Sequence, residues 1–144
     1  NLQTRMMGNF VLRQCELALV DMSIYDSELP TSSEELENSI LEISNRYSLF
    51  PRGQEYQLYC SFLHIFWGWY GAGYYSYMRA ELLEADVFQK IKENWIFSPQ
   101  IWNLYRDKIL AQGCRKPARE LFFEFMWRDP DSKALMKKYW LIDN

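Results

Sequence analysis

The stretch HIFWGWYGAGYYSY, His64 to Tyr77, holds the chain's only histidine, four tyrosines, two tryptophans and three glycines, with no acidic or basic group besides that imidazole. If the segment after the Trp67-Gly68-Trp69 bend is helical, Tyr70, Tyr74 and Tyr77 fall at i, i+4 and i+7 and share one face. Three phenols then point the same way, with His64 on the loop that feeds the helix. Phenolic hydroxyls are donors that stay neutral near pH 7. Aligned neutral donors suit a developing oxyanion, because they complement its charge without a counter-ion. Gly68, Gly71 and Gly73 allow the backbone to approach a peptide ligand closely. The same spacing also describes the edge of an aromatic core beside a structural histidine, and composition alone leaves both readings open.

The flanking sequence is helical in pattern almost throughout. From about Met6 to Ile24, Phe10, Leu17 and Ile24 recur at seven-residue steps, with Val11, Ala18 and Val20 alongside. Leu2-Gln3-Thr4-Arg5 run straight into this pattern, and Asp26-Ser27-Glu28-Leu29-Pro30 end it. Ser32 followed by Glu35 reads as a capping box for a second helix, whose buried stripe is Leu36, Ile40, Leu41 and Ile43. A loop follows through Ser48 to Gly53. A long helix is expected from about Ala72 to Asn94. Ser98-Pro99 opens the next, with proline at the first helical position, where its missing N–H costs nothing. Pro117 and Asp129-Pro130 are expected to open two more. No strand pattern is long enough to trust, so the chain reads as all-α.

The helix ends are unusual. A helix commonly closes on a left-handed residue, usually glycine, because a Cβ there is crowded. After Asn94 that residue is Trp95, after Met126 it is Trp127, and after Tyr139 it is Trp140. Glycine numbers only 6 in 144, below the usual ~7%, so the chain is short of the residue these ends require.

The totals exclude several classes. A length of 144 residues is about one domain. A net charge of −3 and a pI near 5.2 argue against a general nucleic-acid binder, and the basic run Arg115 to Arg119 is too short to change that. Cys15, Cys60 and Cys114 are far apart and odd in number, which fits a reducing, cytoplasmic setting with three ordinary buried or half-buried thiols. No leader is visible, and the uncharged window Ser61 to Met78 is too rich in glycine and tyrosine for a membrane span. Aromatics make up 17% of residues. That share, and a start at Asn1 inside helical pattern, suggest a piece of something larger whose apolar surface meets missing neighbours.

Phe62-x-His64-Ile65-Phe66-x-Gly68-x-Tyr70-x-Ala72-Gly73-Tyr74-Tyr75-Ser76-Tyr77 resembles the C-terminal signature of the thimet-oligopeptidase family of zinc metallopeptidases, in its oligopeptidase A branch. Ala80-Glu81-Leu82-Leu83-Glu84-Ala85-Asp86-Val87-Phe88, Ile109 to Gly113, Glu120-Leu121-Phe122 and Arg128-Asp129-Pro130 resemble further family motifs in consistent order. So do Leu12 to Glu16 and Leu19-x-Asp21 upstream. The resemblance implies an all-α, two-lobed, zincin-like peptidase that cuts short peptides in a deep channel. It makes residues 1–144 the C-terminal part of the catalytic domain. The family's zinc sits on H-E-x-x-H, which a chain with a single histidine lacks. Zinc is therefore expected in the parent enzyme, on ligands outside this chain, and no metal ligand is assigned here. By the resemblance, His64 and Tyr70 contact the substrate backbone. Tyr74 and Tyr77 face the zinc-bound tetrahedral intermediate, at least one of them donating to its oxyanion.

The expected partners are short peptide substrates and the remainder of the parent polypeptide, with no nucleic acid and no membrane. The isolated chain is expected to be inactive. The alternative is a non-catalytic helical interaction module, or a decayed paralogue, that uses its aromatics to bind a partner. The resemblance also implies glycine, or in one case alanine, at Trp67, Trp69, Trp95, Trp102, Trp127 and Trp140. UGA codons decoded as glycine and translated as tryptophan would produce that pattern.

Overall fold

The computed structural model describes residues 6–26, 28 and 30–143. Leu2 to Arg5, and Ser27 and Leu29 of the stretch expected to end the first helix, lie outside the described residues. Helices α1 (Met7–Asp26), α2 (Ser33–Tyr47), α3 (Leu58–Ser61), α4 (Ser76–Glu93), α5 (Pro99–Lys108), α6 (Ala118–Met126) and α7 (Lys133–Lys138) follow in order. Single 3₁₀ turns lie at Leu63–Ile65 and Leu110–Gln112. There is no strand among the described residues, so the all-α expectation holds. The chain divides into two compact units, Asn1–Met78 and Arg79–Asn144.

In the first unit Val20, Ile40, Leu58, Phe62 and Ile65 form the core, flanked by Leu17, Ile24, Leu36, Ile43 and Tyr74. The seven-residue ladder on α1 is only half right. Phe10 is exposed, and the fully covered positions are Glu16, Val20 and Asp21. Two buried carboxylates on one apolar helix require partners, since an unpaired buried charge is costly. Glu16 finds Arg13 Nη1 at 2.7 Å, Arg52 Nη2 at 3.1 Å and the Tyr56 hydroxyl at 2.9 Å. Asp21 finds the loop described below. α2 begins as its sequence predicts: Ser32 Oγ accepts from the Glu35 amide at 3.2 Å. Glu35 reaches back to Thr31, accepting from its amide at 2.8 Å and its hydroxyl at 2.7 Å.

In the second unit Val87, Ile91, Ile101, Phe122, Phe125 and Met126 pack together from α4, α5 and α6. Buried Asp86 holds that unit's C-terminal turn. It accepts from Arg128 through both guanidinium nitrogens, at 2.7 and 2.5 Å, and from the Asp131 amide at 2.8 Å. Pro99 starts α5 at its first position as expected, although Ser98 Oγ bonds Gln100 rather than a backbone amide. Two boundaries differ. Pro117 occupies the cap position before α6, and α7 starts at Lys133 behind Ser132 rather than at Asp129-Pro130. Asp129-Pro130 instead sit in the turn that Arg128 and Asp131 tie to Asp86. The thiols also differ from expectation: Cys15 is half-buried, but Cys60 and Cys114 are exposed. Among the described residues no helix is long and apolar enough to cross a membrane.

Candidate functional site

The stretch His64 to Tyr77 is not a loop feeding a helix at Ala72. The helix starts only at Ser76, and residues 71–75 form consecutive turns. Gly73 and Ser76 close i to i+3 bonds with Tyr70 and Gly73, at 2.9 and 3.0 Å. The cause lies outside the stretch. Asp21, on α1, accepts from the Ala72 amide through Oδ1 at 2.9 Å and from the Tyr74 amide through Oδ2 at 2.8 Å. These bonds hold Ala72 at φ +56°, a left-handed value that ends any helix. Two more residues of α1 bind the same segment. Tyr25 donates to the Ile65 carbonyl at 2.7 Å, and Gln14 Oε1 accepts from the Tyr74 hydroxyl at 3.2 Å. Positions 14, 21 and 25 are spaced by seven and four, so one face of α1 carries the whole anchor.

Although Tyr70 and Tyr74 are not helical, the turns bring the expected residues together. His64 stacks on Tyr70 with ring centroids 4.5 Å apart and meets Tyr74 edge-on at 5.8 Å. Tyr77 lies 5.9 Å from Tyr70, nearly parallel, and 5.3 Å from Tyr74. His64 Nε2 is 2.9 Å from the Tyr77 hydroxyl. Both side chains are exposed, Tyr77 to 41%. A hydrogen bond with Tyr70, aided by partial desolvation, raises the Tyr77 phenol above its ordinary value of 10.0. Tyr77 is thus a neutral donor at physiological pH. With the proton on Nε2, His64 donates to the Tyr77 oxygen, and the phenolic hydrogen, shared here with Tyr70, can turn to a ligand.

Tyr74 is differently placed. Its ring packs edge-on against Phe62 at 5.2 Å and beside the core, and its hydroxyl is engaged by Gln14. The glycines have reasons within the chain. A Cβ on Gly71 would lie 2.6 Å from the Tyr25 ring, and one on Gly73 would lie 3.1 Å from the Tyr70 carbonyl. A Cβ on Gly68 would meet only the Tyr70 ring, in ordinary contact at 3.9 Å, and it is the φ of +77° that favours glycine there. Beside them is a hollow of about 450 Å³ lined by Tyr25, Ile65, Phe66, Gly68, Trp69 and Gly71. A more apolar hollow, about 470 Å³, lies in the second unit and contains none of these residues.

Gln14, Asp21 and Tyr25 carry no role in the sequence reading. The available signal is their helical spacing on one face of α1, with Gln14 and Asp21 inside the upstream motifs Leu12 to Glu16 and Leu19-x-Asp21. No group of three or more histidine, cysteine, aspartate or glutamate side chains could hold a metal among the described residues. The residues here therefore do not fit a zinc site.

Comparison with known proteins agrees with the motif. The chain is 32% identical over 130 residues to oligopeptidase A of Salmonella typhimurium and to that of Escherichia coli, covering 90% of this chain and 19% of each relative. It is 33% identical over 139 residues to the organellar oligopeptidase A of Arabidopsis thaliana, covering 94% of this chain and 18% of that protein. The chain thus spans about a fifth of the length of the curated relatives it matches. The model of peptidase family M3 matches residues 1–141, and the chain belongs to that family.

Proposed function

We propose that this chain is the substrate-facing C-terminal segment of a zinc metalloendopeptidase acting on short peptides. The observation that carries the reading is the exposed pair of His64 Nε2 and Tyr77 hydroxyl, 2.9 Å apart and flanked by Tyr70. Membership of peptidase family M3 supplies the reaction class. The metal and the general base belong to the remainder of the polypeptide, and so does the second lobe.

The chain's own residues do three things in this reading. Tyr77 donates its phenolic hydrogen to the carbonyl oxygen on which negative charge develops as water adds to the peptide. His64 orients that phenol through Nε2 and, with Tyr70, contacts the peptide backbone. Tyr74 fixes the wall behind them and becomes a second donor only if its hydroxyl leaves Gln14. A donor aimed at the developing charge stabilises the transition state more than the ground state, which raises turnover rather than binding.

The test compares two polypeptides. The complete one, extended upstream to include an H-E-x-x-H helix, is expected to hydrolyse a quenched fluorescent peptide in a zinc-dependent way. The 144-residue chain with added zinc is expected to be inert. Turnover by the short chain contradicts the division of labour. An upstream reading frame without H-E-x-x-H favours the second reading, a helical interaction module, which draws on exposed aromatics such as Trp67 and Phe97.

A further inference from the structure

Five residues other than glycine occupy the left-handed region of the backbone among the described residues: Trp69 (φ +69°), Ala72 (+56°), Trp95 (+63°), Trp127 (+62°) and Trp140 (+58°). Tryptophan is 6 of 144 residues, yet it supplies four of these five positions. In this region Cβ crowds the adjacent carbonyl, a clash only glycine escapes. For a bulky residue the conformation is a genuine outlier.

Three of the four close helices with the hydrogen bonds of glycine-terminated ends. After α7 the Leu141 amide donates to the Met136 carbonyl at 2.9 Å and the Trp140 amide to Lys137 at 3.0 Å, which are the two bonds of a Schellman motif. After α6 the Trp127 amide donates to Phe123 at 2.7 Å, the single bond of the αL closure. After α4 the Trp95 amide donates to Lys92 at 3.2 Å, the inner Schellman bond. The fourth, Trp69, follows Gly68, itself at φ +77°, in the loop that carries the candidate site.

Packing does not offset the strain. Trp69 is 103% exposed, Trp127 75%, Trp95 65% and Trp140 62%. Their indoles lie largely in water, so burial contributes little that would hold the backbone in this region. The fifth residue is instructive by contrast: Ala72 is small, and its amide is held by buried Asp21. Trp102 is also a contrast. It lies within α5 and donates from Nε1 to the Ile96 carbonyl at 2.6 Å.

We propose that residues 69, 95, 127 and 140 are glycine in the protein as its own cell makes it, and that the tryptophans are UGA codons decoded there as glycine. Backbone angle and exposure agree at all four positions, and the closure bonds agree at the three helix ends, so the pattern spans a site loop as well as helix termini. The proposal changes the candidate site. Glycine at 69 removes an exposed indole next to Tyr70 and from the lining of the hollow shared with Gly68 and Gly71.

Two measurements test it, and neither uses peptidase activity, so they succeed or fail independently of the proposed function. The first is the codon at each position. UGA at all four is expected, and UGG at any of them overturns the proposal. The second is thermal melting of the full chain carrying Trp69→Gly, Trp95→Gly, Trp127→Gly and Trp140→Gly together. Relief of left-handed strain is expected to raise Tm by about 2–4 °C at each position. Trp102→Gly, inside a helix, is expected to lower it. A four-glycine chain that melts at or below the starting chain overturns the proposal.

Discussion

Asp21→Asn tests how the site loop is held. Asp21 is fully buried and its two oxygens each accept one backbone amide, from Ala72 at 2.9 Å and Tyr74 at 2.8 Å. Asparagine keeps the shape but offers one oxygen, so one of these amides faces an NH₂ group and loses its acceptor. An unsatisfied buried donor costs ~1–3 kcal/mol, and the remaining bond loses its charge assistance, another ~1 kcal/mol. The sum is about 2–4 kcal/mol, a fall in Tm of roughly 5–15 °C for a chain of this length. The loss is also local: Ala72 has no other reason to stay at φ +56°, so the turns at 71–75 loosen and the His64–Tyr77 contact opens. Melting of the 144-residue chain gives the global term, and NMR of the His64 ring gives the local one. In the variant the ring resonances should move toward those of His64 in a Tyr77→Phe chain. A variant that melts lower but leaves the His64 ring unchanged would show that Asp21 braces the fold without positioning the site, and the reasoning fails.

Other expectations follow from the same geometry. Gly71→Ala pushes a methyl toward the Tyr25 ring, costing about 1–3 kcal/mol by displacing its bond to Ile65. In a Tyr25→Ala background the same change should be nearly neutral, which a double-mutant cycle by urea melting would reveal. Arg128→Ala leaves Asp86 buried without its cation and should destabilise the second unit by roughly 3–5 kcal/mol, with Arg128→Lys intermediate because the bidentate fork is lost. Glu16 sets an acid limit. Burial pushes its carboxyl up, but hydrogen bonds led by Arg13 outweigh that and hold it below its ordinary 4.5. A depressed native pKa means the ionised group stabilises the fold above the unfolded value, and that stability disappears as pH falls through the native one. Tm measured against pH should drop below about pH 4.5, and Glu16→Gln should flatten that drop while lowering Tm at neutral pH.

The parts of this structure legible in the sequence are those that local physics decides. Ser32 with Glu35 and Pro99 mark helix starts because capping involves residues three apart. The left-handed positions at 95, 127 and 140 follow from where each apolar pattern stops. The start of α4 was not legible, because a carboxylate more than fifty residues upstream sets it. Periodicity continues from Tyr70 through Tyr77 whether or not the backbone is helical. The grouping of His64, Tyr70 and Tyr77 nevertheless survives, since compact turns bring near neighbours together much as a helix does. Tyr74 shows the limit: its spacing matches the others, but Gln14 and Phe62, from elsewhere in the chain, decide where its hydroxyl goes.

The central claim is that the Tyr77 phenol serves charge development on a peptide carbonyl. Steady-state kinetics of Tyr77→Phe in the complete, zinc-loaded polypeptide address it directly, because the change removes one oxygen and keeps the ring stacking. The account predicts a fall in kcat of about 10²–10³ with KM nearly unchanged. A variant with wild-type kcat, or one whose loss appears only in KM, would contradict it.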